Sequence, residues 1–166
     1  GSASYNDDGS TTEGTAEGGR QIVLYSVNDF NFTLEQIQSY AHVMHHESAH
    51  ILHQNVEYDA EFEKITPSYS SSWMQMNDET ARTKGFITAY ASSSADEDFA
   101  EMVSIMLTNS PEDWDDMIES AGNATAVEAL RKKEAIVVAY MKNNWGVDMK
   151  DFQKEVVAAI EAAVRN

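Results

Sequence analysis

All five histidines of the chain, His42, His45, His46, His50 and His53, lie between positions 42 and 53. Inside that run, His46-Glu47-Ser48-Ala49-His50 spells H-E-x-x-H. The motif has chemical meaning only on a helix, where residues four apart stand one turn above each other on the same face and two imidazoles converge on one point. The surrounding pattern supplies that helix. Thr33-Leu34-Glu35-Gln36 has the form of a capping box. Leu34, Ile37, Ala41 and Met44 then recur at helical spacing, and the helix runs to about Asn55.

Two such nitrogens suit a tetrahedral Zn²⁺ site, and a catalytic site of this kind normally takes three protein ligands. Glu47, next to the first histidine, is placed to act as general base on a water that the metal acidifies. The fold must therefore deliver a third ligand. With no cysteine in the chain it must be His, Asp or Glu. His53 stands seven residues after His46, about 10 Å further along the helix axis, and three collinear ligands cannot surround an ion. A metzincin turn would need Gly at position 53 and His at 56, where this chain has His53 and Val56. The competing source is the helix opened by Asp96-Glu97-Asp98-Phe99-Ala100-Glu101. Glu97 and Glu101 share a face, so one can bind the metal while the other holds a ligand imidazole. Asp96 and Asp98 read as charge complementing a helix start.

The rest of the sequence bounds the setting. At 166 residues there is room for one domain and one sizeable core. Acidic residues outnumber basic ones 28 to 11, a formal net charge of −17. That balance argues against nucleic acid and anionic lipid as partners. No apolar run approaches the roughly 18 residues of a membrane span, so direct insertion by this segment is not expected. Residues 1–19, rich in glycine with Tyr5 as the one aromatic, read as a flexible lead-in whose opening Gly-Ser resembles an expression scar. Residues 20–166 read as the folded domain.

Within the domain, 22–27 reads as a strand and 85–90 as a second short one. Residues 56–84 show no sustained period and read as a long loop, functional or disordered, in which Trp73 is either a substrate contact or a loop anchor. Helices follow from Asp96 to about Thr108, from Ser110-Pro111, from a cap at Thr125 to Gly146, and from Asp148. The class is α+β, mainly helical with a small β component. His42 and His45 read as surface or packing residues, His53 stands between support of a ligand and plain structure, and the acids of 112–119 and 148–155 read as solvated faces.

With Tyr90 and Glu97-Asp98-Phe99-Ala100-Glu101 downstream of it, the H-E-x-x-H motif resembles the zincin pattern of the anthrax lethal factor-like peptidases. The stretches 21–30, 45–54, 85–91 and 97–104 resemble still more closely the zinc-binding metallopeptidase lipoproteins of Bacteroidetes, surface proteins encoded beside outer-membrane import systems. The resemblance implies a zincin-like metallopeptidase core with His46, His50 and Glu97 as Zn²⁺ ligands, Glu47 as base and Tyr90 as oxyanion donor. It also implies a peptide or protein substrate, an extracytoplasmic position on an outer-membrane lipoprotein at the cell surface, and nutrient-import proteins as partners. One departure is that only 21–27 precedes the active-site helix, where zincins usually place a multi-stranded sheet. Two other readings compete: a cell-surface zinc-containing binding module with a vestigial hydrolase site, and a helical interaction domain with a fortuitous motif. Glu47 and Tyr90 favour the hydrolase, since zinc binding alone requires neither.

Overall fold

Short strands come first and helices do the rest. The computed structural model describes residues 4–5, 11–25 and 33–164. Strands β1 (Ser4–Tyr5) and β2 (Thr11–Thr12) pair antiparallel, as do β3 (Gly14–Glu17) and β4 (Gln21–Leu24). The helices are α1 (Leu34–Asn55), α2 (Glu61–Ile65), α3 (Asp78–Arg82), α4 (Ala95–Thr108), α5 (Pro111–Glu119), α6 (Ala124–Trp145) and α7 (Met149–Val164). Single 3₁₀ turns lie at Trp73–Gln75 and Tyr90–Ser92. Thr33, Asn77, Ser94, Ser110 and Asn123 each offer a side-chain oxygen to the amide three residues on, satisfying one of the orphan donors at a helix start.

Helix α4 is the hub. Phe99, Ala100, Met102, Val103, Met106 and Leu107 are all buried, the pattern of a helix enclosed on nearly every side. It packs against α1, α6 and α7. Phe99 stacks on Tyr58 with ring centroids 4.5 Å apart and meets Phe62 and Tyr140 edge-on. Such aromatic pairs contribute about 0.5–1.5 kcal/mol each beyond the area they bury. No helix among the described residues is long and apolar enough to cross a membrane.

The expected class, mainly helical with a small β component, is what the structure has. Several local expectations need correction. The folded unit does not begin at residue 20, because β3 pairs with β4 in the register Gly14↔Leu24 to Glu17↔Gln21. Low apolar content argued for a flexible lead-in, but a strand held by main-chain bonds and seated on α1 needs few apolar side chains. The turn is tied down as well: the Gly19 amide donates to Gln54 Oε1 at 2.7 Å, and Asn55 donates back to the Gly19 carbonyl. Ser26 and Val27, the end of the strand expected at 22–27, lie outside the described residues.

Residues 56–84 hold α2, a 3₁₀ turn and α3, each too short to show a period in sequence. Residues 85–90 form no strand. Phe86 and Ile87 look β-like because both are buried, but the main chain there bonds to side chains: Ala89 N to Asp78, and the Gly85 carbonyl to Lys133. The cap expected at Thr125 falls on Asn123.

Candidate metal centre

Helices α1 and α4 run antiparallel, which follows from their side-chain pairs: His50 meets Glu97, His46 meets both Glu97 and Glu101, and His42 meets Glu101. The caps at Thr33 and Ser94 start both helices so that this face is shared. Three atoms converge. His46 Nε2 lies 2.9 Å from Glu97 Oε2, His50 Nε2 lies 3.2 Å from the same oxygen, and the two ring nitrogens are 3.0 Å apart.

The other faces of the two imidazoles decide what those atoms present. His46 Nδ1 is 2.8 Å from Glu101 Oε1, a carboxylate oxygen that can only accept, so Nδ1 carries a proton and Nε2 is the nitrogen left to hold either a second proton or a cation. His50 Nδ1 is 2.9 Å from His53 Nε2, and with His53 accepting there, His50 Nε2 is free to turn a lone pair inward. Two ring nitrogens and a carboxylate oxygen, each able to offer an electron pair, thus face one point, an arrangement that a proton or a cation holds together. Ligands about 2.0–2.1 Å from a tetrahedral Zn²⁺ would stand about 3.3 Å from one another, close to the separations seen. These residues fit zinc.

The electrostatics agree. Burial pulls the His46 imidazole down, but its hydrogen bonds to Glu101 and Glu97, and their charges, more than reverse this and hold it up at about 9. Burial pushes Glu97 up and the His46 and His50 contacts override it, leaving it at about 2. Glu101 is lowered further still by His42 and His46 against the same desolvation. The pocket therefore keeps both carboxylates ionised and draws positive charge between them.

Around this centre lies the rest of the expected site. Glu47 is buried, and desolvation raises its carboxyl above the usual range against the pull of His46 and His50. Strand β3 crosses directly over it. A Cβ on Gly14 would meet Val43 Cγ1 at 2.8 Å and Glu47 Cγ at 2.9 Å, so only glycine lets the strand lie this close. Gly14→Ala is expected to lift the strand from α1 at a cost of about 1–3 kcal/mol, the range for overpacking; an unchanged melting temperature would show that the approach is not tight. The Tyr90 ring is 5.8 Å from that of His46 and 4.9 Å, edge-on, from Trp73. Burial, then the charge of Glu97 and a hydrogen bond to it, push the phenol up. Thr12, Gly14, His42, Glu47, Trp73 and Tyr90 line one cavity of about 260 Å³.

The structure therefore gathers His46, His50, Glu97, Glu47, Tyr90, Glu101 and His53 in one place. It corrects His42, whose Nε2 is 3.1 Å from Glu101 and which faces the site rather than serving as surface or packing. Its i−4 spacing from His46 was the available signal. His45 does face away, its ring edge-on to Phe152 at 5.8 Å, with burial lowering its imidazole. Gly14 and Thr88, whose hydroxyl donates to Glu101 Oε2 at 2.6 Å, carried no signal in the sequence.

A crystal structure of a "putative zinc-binding metallo-peptidase" from Bacteroides caccae ATCC 43185 is similar at a TM-score of 0.80 and 30% identity over 100% of this chain. The chain spans 62% of the length of that protein. No curated protein matches the chain. Residues 1–150 match a family model, and the chain belongs to the family described as "Putative zinc-binding metallo-peptidase".

Proposed function

We propose that this chain is a zinc-dependent metallopeptidase that hydrolyses peptide bonds, with His46, His50 and Glu97 holding the ion, Glu47 as general base and Tyr90 as donor to the developing oxyanion. The observation that carries the reading is the convergence of His46 Nε2, His50 Nε2 and Glu97 Oε2 within 2.9–3.2 Å of one another. Zinc bound there supplies Lewis acidity, lowering the pKa of water and polarising a carbonyl. Glu47 takes the proton of the attacking water and passes it to the departing amine. Its burial, which raises the carboxyl, strengthens it as a base. Glu101 fixes the tautomer of the His46 imidazole, and His53 orients the His50 ring from behind. Tyr90 keeps its proton, since its phenol is pushed up, and so remains a donor at neutral pH.

Two histidines and a glutamate from a later helix form a gluzincin-type ligand set. Together with the Tyr90 spacing, this supports kinship with the anthrax lethal factor-like zincins. The resemblance to the Bacteroidetes lipoproteins supports a peptide or protein substrate met outside the cytoplasm, at the cell surface beside nutrient-import proteins.

Elemental analysis followed by a peptide-library digest with and without chelator tests the activity. Stoichiometric zinc and chelator-sensitive cleavage are expected; zinc without turnover on any peptide would turn the reading to a binding module. Tyr90→Phe is expected to lower kcat on the order of 10²–10³-fold, as loss of one oxyanion donor does, with KM, zinc content and melting temperature nearly unchanged. Turnover within about twofold of the parent would remove Tyr90 from the chemistry.

A further inference from the structure

Among the described residues, Lys133 and Asp98 form the one Lys or Arg ion pair in which both side chains are fully buried. The ammonium has three N–H donors, and each has a destination. Nζ lies 2.5 Å from Asp98 Oδ2, 2.8 Å from the Gly85 carbonyl and 4.3 Å from the centre of the Phe86 ring. Asp98 Oδ2 also accepts from the Tyr69 hydroxyl at 3.0 Å. Gly85 sits at φ +85°, and a Cβ there would meet Thr66 Cγ2 at 2.9 Å and Ala129 Cβ at 3.0 Å. Its carbonyl is thus held against α6 by a close approach that only glycine allows.

These two acceptors stand at the roots of the two arms of the metal centre. Asp98 follows Glu97 on α4, one turn before Glu101. Gly85 begins the segment that runs through Thr88, which donates to Glu101 Oε2, to Tyr90. That segment has no strand partner; Phe86 and Ile87 anchor it in the core and the Phe86 amide donates to the Ala81 carbonyl, while its polar groups are set by Gly85 O on Lys133, Thr88 on Glu101 and Ala89 N on Asp78. Stability does not explain a buried pair of this kind, because apolar replacements of similar volume are often neutral or stabilising. Placement does. We propose that Lys133 and Asp98 are positioning residues that set the Glu97 carboxylate against the two imidazoles and hold the Tyr90 hydroxyl in register with it.

The proposal rests on the metallopeptidase reading, and its test separates the two. Replacing both partners (Lys133→Met with Asp98→Asn) removes the charges together and leaves no unpaired ion. Zinc affinity is measured by competition with a chelator, well below the melting temperature of either protein, and hydrolysis is resolved into kcat and KM. Zinc Kd is expected to rise by less than the roughly 10–100-fold that follows loss of a group bonded directly to a ligand, since the pair acts through the main chain of α4, and kcat to fall while KM stays within about twofold. A merely structural pair would move the melting temperature and neither of these. Tyr69→Phe, which removes one hydroxyl from Asp98 and keeps both charges, should shift Kd in the same direction by a smaller factor. A folded double variant with parental Kd and kcat overturns the positioning role; if that variant does not fold, parental Kd in Tyr69→Phe overturns it. A parent without zinc affinity fells the metallopeptidase reading instead, and this proposal with it.

Discussion

Glu47→Gln is expected to keep zinc at full stoichiometry while hydrolysis falls by about 10²–10⁴, the range that a positioned general base contributes. Glu47 is not among the residues whose ligand atoms converge, so an amide in its place leaves His46, His50 and Glu97 untouched. The side chain is buried under β3, and an amide of nearly the same shape fits the space that Gly14 leaves. It cannot accept the proton of the attacking water. Desolvation already disfavours the charged form of Glu47, so the neutral amide should not lower the melting temperature. Peptide turnover together with elemental analysis checks the expectation. Stoichiometric loss of zinc would make Glu47 a ligand and the mechanism wrong.

The second large effect concerns stability. His50 and Glu97 are 47 residues apart, so an ion between them cross-links two distant helices. An ion that binds the native state alone stabilises by RT ln(1 + [L]/Kd), about 2.7 kcal/mol at a hundredfold excess over Kd. For a chain of this length that is a shift of roughly 5–11 °C in Tm. Chelation should produce it, and Glu97→Ala should reproduce most of it; a melt that ignores the chelator would remove the site. In the metal-free protein, a proton on His46 replaces part of what the ion does. The folded His46 is raised to about 9 from an ordinary 6.5, so its contribution is complete below about pH 6.5 and is lost as pH rises through 9. The melting temperature of the chelated protein should therefore fall across that window, while that of the zinc-loaded protein should not. A flat profile for the chelated protein would mean that the His46–Glu97–Glu101 contacts are not formed without metal.

The helices were legible because their signals are local. Periodicity and a capping residue suffice for α1, α4 and α5, and H-E-x-x-H could be placed on a helix face from spacing alone. The position of Glu97 opposite that face depends on tertiary packing. Helix geometry argued against His53 as third ligand and pointed to Glu97 or Glu101 on the next acidic helix, and family resemblance chose Glu97. What stayed illegible is non-local in a stricter sense. Gly14 matters through the space left above Glu47, Thr88 through a hydroxyl aimed at Glu101, and Lys133 through a carbonyl on another element. Burial of Phe86 and Ile87 imitated a strand, and short helices inside 56–84 left no period to read.

The interleaving of α1 and α4 has a further consequence, for register. Histidines recur every fourth residue at 42, 46 and 50, and glutamates stand at 97 and 101, so the two antiparallel helices mesh like a vernier. Slid by one turn, about 5.4 Å, Glu97 would fall between His42 and His46 with unchanged chemistry. The group His42, His46 and Glu101 already gathers its ligand atoms within 4.8 Å. Imidazole–carboxylate pairing is therefore degenerate and cannot by itself say where the helices stop. The stop comes from partners that do not repeat: Thr88 on Glu101, and Tyr69 and Lys133 on Asp98. A slipped pair of helices would keep most of its histidine rungs and be rejected for burying an unanswered aspartate.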